Sequence, residues 1–352
     1  MEVAKEENSV RPIRWRGWLL GAATLAGLVY VVLRLGELEH IARVLRQTDW
    51  RWLPLALVSE ALFQCNEGAI YWAMYRIIGY RPRLRRVIAL TLAASFVNRV
   101  APSAGMSGTT LFAERMARKG VPPGTTVTVN LARYMLDYGA FLLLLAIGLL
   151  YLSRHHDLTA VEVRAALLFG VTVLALLTFA GVLIARRERL ARAAAALARL
   201  VNRVGHTLGR RRLLTDEDAS RHVEEVLSAM ALLSRARPRT AALVVMGFLI
   251  HVFDLLGLLI VFHAIGYPVH LGIMIAGYGL GYLAGFISLV PSGLGVFEAT
   301  MTAVYKSLGI PLEVAALTTL LYRLFSLWAP LLAGYLALHL VVGEVAEDGS
   351  AR

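Results

Sequence analysis

The hydrophobic positions of this chain fall into eight long apolar runs separated by short polar segments. A bilayer core of about 30 Å needs roughly 20 helical residues to cross it, and most of the runs reach that length. The pattern therefore predicts an all-α polytopic membrane protein. The runs lie at about 17–35, 53–78, 87–112, 125–151, 160–185, 239–265, 271–308 and 312–342.

Two of the runs are interrupted by the same pair of turn signals at the same spacing. Pro102-Ser103 precedes Gly120-Val121-Pro122, and Pro291-Ser292 precedes Gly309-Ile310-Pro311 with both elements 189 residues further on. Paired hydrophobic segments interrupted by Gly or Pro indicate a site built from broken helices inside the membrane. We therefore expect each interrupted run to fold as a helical hairpin.

Loop charge sets the expected orientation of these hairpins. The loop 79–86 and the segment 186–238 carry arginine in excess over acid, so both are predicted to be cytoplasmic. The run 87–112 then enters and leaves on the cytoplasmic side, whereas 271–308 does so from the outside. We predict about six full spans plus two re-entrant helical hairpins forming an inverted repeat. Ordinary kinked spans without symmetry are the alternative.

The same reading gives one transmembrane domain, 17–342, in the cytoplasmic (inner) membrane. It follows a cytoplasmic N-terminal tail, 1–16, and precedes a C-terminal tail, 343–352, also expected to be cytoplasmic. Within 186–238, arginine alternates with apolar residues at helical spacing, which is typical of a helix lying on an anionic leaflet. A second amphipathic helix is predicted at about 217–236.

Composition narrows the function classes. The chain is 58% hydrophobic with a formal net charge of +12, and the basic residues stand beside apolar runs, so membrane orientation rather than nucleic-acid binding explains them. Cys65 is the single cysteine, and no Cys/His set has zinc-site spacing, so we expect neither a metal nor another cofactor. The sequence lacks a phosphate loop and a nucleophile elbow, so enzymatic chemistry is not expected.

Ionisable side chains inside the runs are the main candidates for function, because each costs roughly 2.5–3.5 kcal/mol at the centre of a membrane helix. Most stand in clusters at helical spacing, which are Glu60, Gln64 and Glu67; Arg133 and Asp137; and His251 and Asp254. The alternatives are structural: Arg133 and Asp137 neutralise each other, and His251 and Asp254 form a hydrogen-bonded packing pair. Glu60 and Glu67 pair with Arg99 or Arg133 and only hold helices together, and Glu298 is solvated near the interface. We assign charge balance or proton transfer to Glu60, Glu67, Asp137, His251, Asp254 and Glu298.

The breaks predict where an anion binds. Each places the N-terminus of a new half-helix inside the membrane, where free N–H groups attract a phosphate. Arg133 and Arg323, one from each half, add guanidinium groups suited to bidentate phosphate contacts. We therefore predict a lipid head-group site between the hairpins, formed by Arg99, Ser103, Gly105, Arg133, Ser292, Gly293, Gly295, Tyr322 and Arg323.

The stretch 286–298, followed by 308–311 and Tyr322-Arg323, resembles the flippase-like membrane family that includes the transmembrane flippase domain of lysylphosphatidylglycerol synthase. The stretch 98–105 through Glu114-Arg115 is similar to the other signature of that family, although it is less basic. The resemblance covers about 15–342. It implies translocation of a lipid such as an aminoacylated phospholipid, a polyprenyl-linked sugar or a hopanoid-type lipid. No aminoacyl-transferring domain follows residue 342, so lysyl transfer is not implied.

Two other functions are compatible with the sequence. One is a lipid-processing integral membrane enzyme, which needs a nucleophile or metal site at the cavity mouth. The other is a non-transporting partner that docks a lipid or cell-envelope biosynthesis enzyme through 186–238. Membrane lipids are thus the expected partners, with a second copy of the chain or a lipid-synthesis enzyme as the protein partners considered.

Overall fold

A computed structural model describes residues 48–100, 106–155 and 237–350 except 289, together with isolated positions at 46, 167–178 and 224–233. Within this part of the chain every regular element is helical. The helices are α1 (Leu53–Ile78), α2 (Leu84–Val100), α3 (Met106–Ala117), α4 (Pro123–His155), α5 (Arg237–Ala264), α6 (Leu271–Ile287), α7 (Val296–Ser307), α8 (Leu312–Arg323) and α9 (Ala329–Ser350).

Three helical segments of the described residues are long and apolar enough to cross a membrane: Pro123–Arg154, Arg239–Ala264 and Leu312–Leu340. The third joins α8 to α9 through a π-helical turn, Leu324–Trp328. Helix α1, with 26 residues, is about 39 Å long at 1.5 Å per residue. The chain is therefore an all-helical membrane protein, as predicted, with several spans.

Several sequence predictions fall outside this description. The spans at 17–35 and 160–185, the tail 1–16 and the segment 186–238 lie outside the described residues apart from isolated positions. Of the predicted helix at 217–236, the described positions are helical, Leu233 is buried, and Glu225 accepts a hydrogen bond from the Gly124 N–H at 2.9 Å. The last helix extends to Ser350, so most of the predicted C-terminal tail is helical.

In the first interrupted run the structure describes α2 up to Val100 and α3 from Met106, and residues 101–105 between them lie outside the described residues. The second interrupted run folds as a helix of 17 residues, α6, followed by one of 12, α7. These lengths correspond to about 25 and 18 Å, which is less than a bilayer core. In the second hairpin, glycines of α6 pack in reverse order against α7: Gly277 against Tyr305, Gly281 against Met301 and Gly285 against Phe297. The two helices are thus antiparallel, and the absence of side chains at these positions of α6 permits their close approach.

The polar side chains of the spans lie between two hydrophobic cores. One core is formed by α1, α2, α3 and the first parts of α4 and α5, and the other by the rest of α4 and α5 with α6, α7 and α8. On α1, the apolar Ala56 belongs to the second core and Ile70 to the first, with Glu60 and Glu67 between them. On α4 and α5 the ionisable residues likewise lie between residues of the first core and residues of the second. Three helices therefore place their ionisable side chains in the layer between the two cores.

Candidate functional site

The ionisable residues form a chain of polar contacts that begins between α1 and α4. Arg133 Nη2 on α4 lies 2.8 Å from Glu67 Oε1 on α1 and 3.3 Å from Asp137 Oδ2 one turn further along α4. Asp137 Oδ1 in turn lies 3.3 Å from Nε2 of His251 on α5. All four side chains are buried, so each charge depends on its neighbours rather than on water.

The chain of contacts continues from α5 to α6 and α8. His251 Nδ1 lies 3.0 Å from the hydroxyl of Tyr278 on α6. That hydroxyl donates to Asp254 Oδ2 at 2.9 Å, and the hydroxyl of Tyr322 on α8 donates to Asp254 Oδ1 at 2.7 Å. Five helices therefore meet in one network, which we call the ion network: Glu67, Arg133, Asp137, His251, Tyr278, Asp254 and Tyr322.

This network settles several alternatives that the sequence left open. Glu67 pairs with Arg133, and Arg133 also pairs with Asp137. His251 and Asp254, considered as a direct hydrogen-bonded pair, are instead joined through Tyr278. Sequence reasoning missed Tyr278, although a tyrosine in an apolar glycine-rich helix carries a hydroxyl that needs a buried partner.

Glu60 lies next to the ion network. Its Oε1 accepts a hydrogen bond from Gln64 Nε2 at 2.7 Å, which confirms that the two residues share an inward face of α1. Glu60, Asp254 and Tyr322 line a void of about 10 Å³, which is the space of a single water molecule. The two carboxyl groups thus face the same small space from α1 and α5.

A larger cavity, of about 160 Å³, lies beside Arg133. We call it the arginine cavity, because Arg99 at the end of α2 and Arg133 on α4 both line it. Arg99 Nη1 and Arg133 Nε are buried and have no hydrogen-bond partner among the described residues. Its other polar lining residues include Glu67, Asn98, Thr109, Asn130 and Tyr134.

Neighbouring side chains hold the walls of the arginine cavity in place. Asn130 accepts from the Tyr71 hydroxyl at 2.9 Å and donates to the Thr126 carbonyl at 2.9 Å. Across the first hairpin, the Gly108 N–H donates to Asn98 Oδ1 at 2.6 Å. A side chain at Gly108 would collide with α2, so glycine is required for this approach. The cavity is therefore preformed rather than a gap between loose helices.

The second break is closed by its own carboxylate. Glu298 Oε2 accepts from the Gly295 N–H at 2.6 Å, and Glu298 Oε1 accepts from Arg323 Nε at 2.5 Å. Arg323 Nη2 donates to the Ser292 carbonyl at 3.0 Å. Ser292, Gly293 and Gly295 have φ values of 57, 62 and 81°, a left-handed backbone that disfavours the serine. We call this arrangement the Glu298–Arg323 cap.

The structure changes the predicted head-group site. Arg323 was expected to join Arg133 around one phosphate, but it bonds to Glu298 and Ser292, whereas Arg133 shares its cavity with Arg99. The Gly295 N–H, predicted to bind phosphate, is occupied by Glu298, which is buried rather than solvated. Tyr322 belongs to the ion network. Ser103 and Gly105 lie outside the described residues.

The fold and the site define a class, a polytopic helical membrane protein with a buried network of ionisable residues. The chain belongs to the family described as the lysylphosphatidylglycerol synthase TM region, whose model matches residues 18–334. This confirms the family that the two signatures indicated.

The relatives in this comparison are membrane proteins of similar length. A UPF0104 membrane protein of Methanocaldococcus jannaschii is 24% identical over 313 residues, covering 88% of this chain and 90% of the relative. Two UPF0104 membrane proteins of Methanothermobacter thermautotrophicus are 23% and 22% identical. The first alignment covers 94% of this chain and 96% of the relative, and the second covers 88% and 89%. These names describe membrane proteins and state no substrate.

Proposed function

We propose that this protein binds the phosphate-bearing head group of a lipid in the arginine cavity and moves that lipid across the cytoplasmic membrane. The observation that carries the proposal is the pair of buried, unpartnered donors Arg99 Nη1 and Arg133 Nε among the described residues. A buried donor without a partner costs about 1–3 kcal/mol, and more when it belongs to a charged group. Phosphate oxygens supply acceptors that guanidinium groups bind in bidentate geometry.

The size of the cavity agrees with a head group rather than a whole lipid. Its volume is about 160 Å³. Sites for drug-sized ligands usually measure about 300–1,000 Å³. A phosphate with a small substituent therefore suits the arginine cavity, while the acyl chains remain in the bilayer.

The family and the hairpins support movement across the membrane. The family takes its name from the membrane region of an enzyme that makes a phospholipid, which favours a lipid ligand. Both interrupted runs contain two successive helices, and their turn signals recur 189 residues apart, which favours the predicted inverted repeat. Two hairpins entering from opposite sides would give the head group alternating access from each leaflet.

The proposal is tested by reconstituting the full chain into vesicles that contain a fluorescent phosphatidylglycerol, with a phosphate-free diacylglycerol analogue as the comparison lipid. Chemical quenching from outside reports how fast the labelled lipid changes leaflet. We expect the protein to speed up the exchange of the phosphate-bearing lipid between leaflets and to leave the exchange of the phosphate-free analogue unchanged. Arg99→Gln should slow it by about tenfold to a hundredfold, because a hydrogen bond to a charged group is worth about 1.5–3 kcal/mol.

Arg81→Gln is the matched control, since Arg81 is an exposed arginine in the loop between α1 and α2. It should exchange lipid at the wild-type rate. A wild-type rate no greater than that of protein-free vesicles would reject transport. Unchanged exchange in folded Arg99→Gln would reject the site, and chemical conversion of the labelled lipid would favour the lipid-processing enzyme.

A further inference from the structure

The polar core between the two hydrophobic cores contains more carboxyl groups than basic groups. Among the described residues it holds four carboxyl side chains, Glu60, Glu67, Asp137 and Asp254, and three basic side chains, Arg99, Arg133 and His251. Even with all three basic groups charged, one carboxylate remains without compensation. An uncompensated charge at this depth is costly, so the core favours binding one further positive charge.

The hydrogen bonds of His251 show that this count already includes a charged imidazole. Nε2 faces two acceptors, Oδ1 and the backbone carbonyl of Asp137, at 3.3 and 3.2 Å, so it carries a hydrogen. The single hydroxyl proton of Tyr278 is directed to Asp254, so the Tyr278 oxygen accepts from His251 Nδ1. Both ring nitrogens therefore donate, and the remaining positive charge has to be sought elsewhere.

Of the four carboxyl groups in the polar core, Glu60 and Asp254 lack an ion-pair partner among the described residues. Asp254 accepts from two tyrosine hydroxyls, and Glu60 accepts from the amide of Gln64. Gln64 is only 6% exposed, and its own Oε1 is buried with no hydrogen-bond partner in the described structure. This orphan acceptor belongs to the same amide group that donates to Glu60, and the carboxylate form of Glu60 offers it no donor.

We propose that Glu60 and Asp254 form a proton-binding site that holds a single proton, carried by Glu60. The protonated carboxyl supplies the O–H group that Gln64 Oε1 lacks, and it brings the four carboxyl and three basic groups to neutrality. The void of about 10 Å³ between Glu60, Asp254 and Tyr322 provides room for one water through which a proton can reach the site. The site stands apart from the arginine cavity, which it does not need in order to bind the proton.

The surroundings of the site come from several helices. The groups that face Glu60 and Asp254 are Gln64 and Glu67 of α1, Arg99 of α2, His251 of α5, Tyr278 of α6 and Tyr322 of α8. Arg99 interacts electrostatically with both carboxyl groups and also lines the arginine cavity. An anion bound at Arg99 offsets its positive charge, which favours the proton on Glu60.

Linkage is reciprocal, so the proton also strengthens binding of the anion. Proton and head group would then be taken up together. This consequence rests on the proposed function, whereas the proton site itself does not.

The test is infrared spectroscopy of the purified full chain at neutral pH, in ordinary and heavy water. We expect the C=O stretch of a protonated, buried carboxyl, shifted by deuterium. Glu60→Gln should remove this band. Glu60→Asp keeps a carboxyl group and should shift the frequency of the band. This variant tests the assignment if Glu60→Gln does not fold. Glu114→Gln, at an exposed glutamate of α3, is the control and should leave the band unchanged.

Absence of the band in the wild-type protein, or its persistence in Glu60→Gln, would overturn the proton site. A second measurement compares thermal unfolding in Na⁺ and K⁺ at equal ionic strength. The unfolding temperature should not depend on the cation. If the unfolding temperature is higher in Na⁺ than in K⁺, and Glu60→Gln removes this difference, the site binds a sodium ion instead of a proton. None of these outcomes depends on lipid movement, so failure of the proposed function would leave the proton site standing.

Discussion

The two hairpins differ in how they satisfy their polar groups. At the second break, the Glu298–Arg323 cap gives each charged group a partner within the same hairpin or the adjoining α8. Beside the first hairpin, Arg99 Nη1 and Arg133 Nε have no partner among the described residues around the arginine cavity. The first hairpin is thus suited to accept a ligand, and the second is complete in itself.

Two sequence positions account for much of this difference. The residue 189 positions before Glu298 is Thr109, and the residue 189 positions before Arg323 is Tyr134. Both line the arginine cavity. The second copy has a carboxylate and a guanidinium that bind each other. At the corresponding positions the first copy has the hydroxyl of a threonine and the phenol ring of a tyrosine. Without an internal carboxylate at this position, the cavity has room for the anion that we propose.

The largest effect on stability is expected at Arg133, which joins the first hairpin to the ion network. Arg133→Gln would leave Glu67 and Asp137 as close, buried carboxylates without their shared cation. Removing one partner of a buried pair typically costs about 3–5 kcal/mol of unfolding free energy. Thermal or denaturant unfolding in detergent measures the change. A loss no larger than that of Arg81→Gln would show that Glu67 and Asp137 do not depend on the charge of Arg133.

A smaller loss is expected at the second break. Arg323→Gln removes the guanidinium contacts to Glu298 and to the Ser292 carbonyl, although Glu298 keeps its bond from the Gly295 N–H. Hydrogen bonds to charged groups contribute about 1.5–3 kcal/mol, so we expect a loss of about 2 kcal/mol in the same unfolding measurement. If Arg323→Gln slows lipid exchange without any loss of stability, the Glu298–Arg323 cap does not have a purely structural role.

The difference between the two hairpins can be tested by giving the first hairpin a carboxylate at the position that corresponds to Glu298. Thr109→Glu places a carboxylate in the arginine cavity, where it can accept from the free donors of Arg99 and Arg133. We expect loss of lipid exchange. Any gain in stability should stay below about 1 kcal/mol, the typical net value of one hydrogen bond, because the new carboxylate also adds to the excess of carboxyl groups in the polar core. Thr110→Glu, at the exposed neighbouring position, is the control and should change neither. A wild-type rate of lipid exchange in the Thr109→Glu variant would show that the arginine cavity is not required for transport.

The smallest stability change is expected at Arg99. Its Nη1 has no partner among the described residues, so Arg99→Gln breaks no hydrogen bond at that atom and removes only the electrostatic support that Arg99 gives to Glu60 and Asp254. The loss of unfolding free energy should therefore be smaller than that of Arg323→Gln. The same variant should lose most lipid exchange. A large loss of stability would indicate that Arg99 holds the hairpin together and is not kept for a ligand.

Local pattern predicted the helices and the breaks closely. The apolar run 53–78 coincides with α1, which ends where Gly79 adopts a φ of 105°. The Pro-Ser signal at 291–292 marks the described break, and the inward face with Glu60, Gln64 and Glu67 followed from helical spacing alone. These features depend on neighbours a few residues away, which the chain itself fixes.

The partners of the buried charges could not be predicted in the same way. Periodicity places Arg133 on an inward face but does not say whether Glu67, Asp137 or a distant acid lies opposite. It gave no signal that Tyr278 lies between His251 and Asp254.

The sequence by itself determined a helical membrane protein with two broken segments and a set of costly buried charges, because helix period, hydropathy and turn residues act over short distances. Only the tertiary structure decided that Arg99 rather than Arg323 shares a cavity with Arg133, and that Glu298 closes the second break. The physical reason is that hydrogen bonds and ion pairs act over about 3 Å. Packing of helices far apart in the chain determines which groups come within that distance.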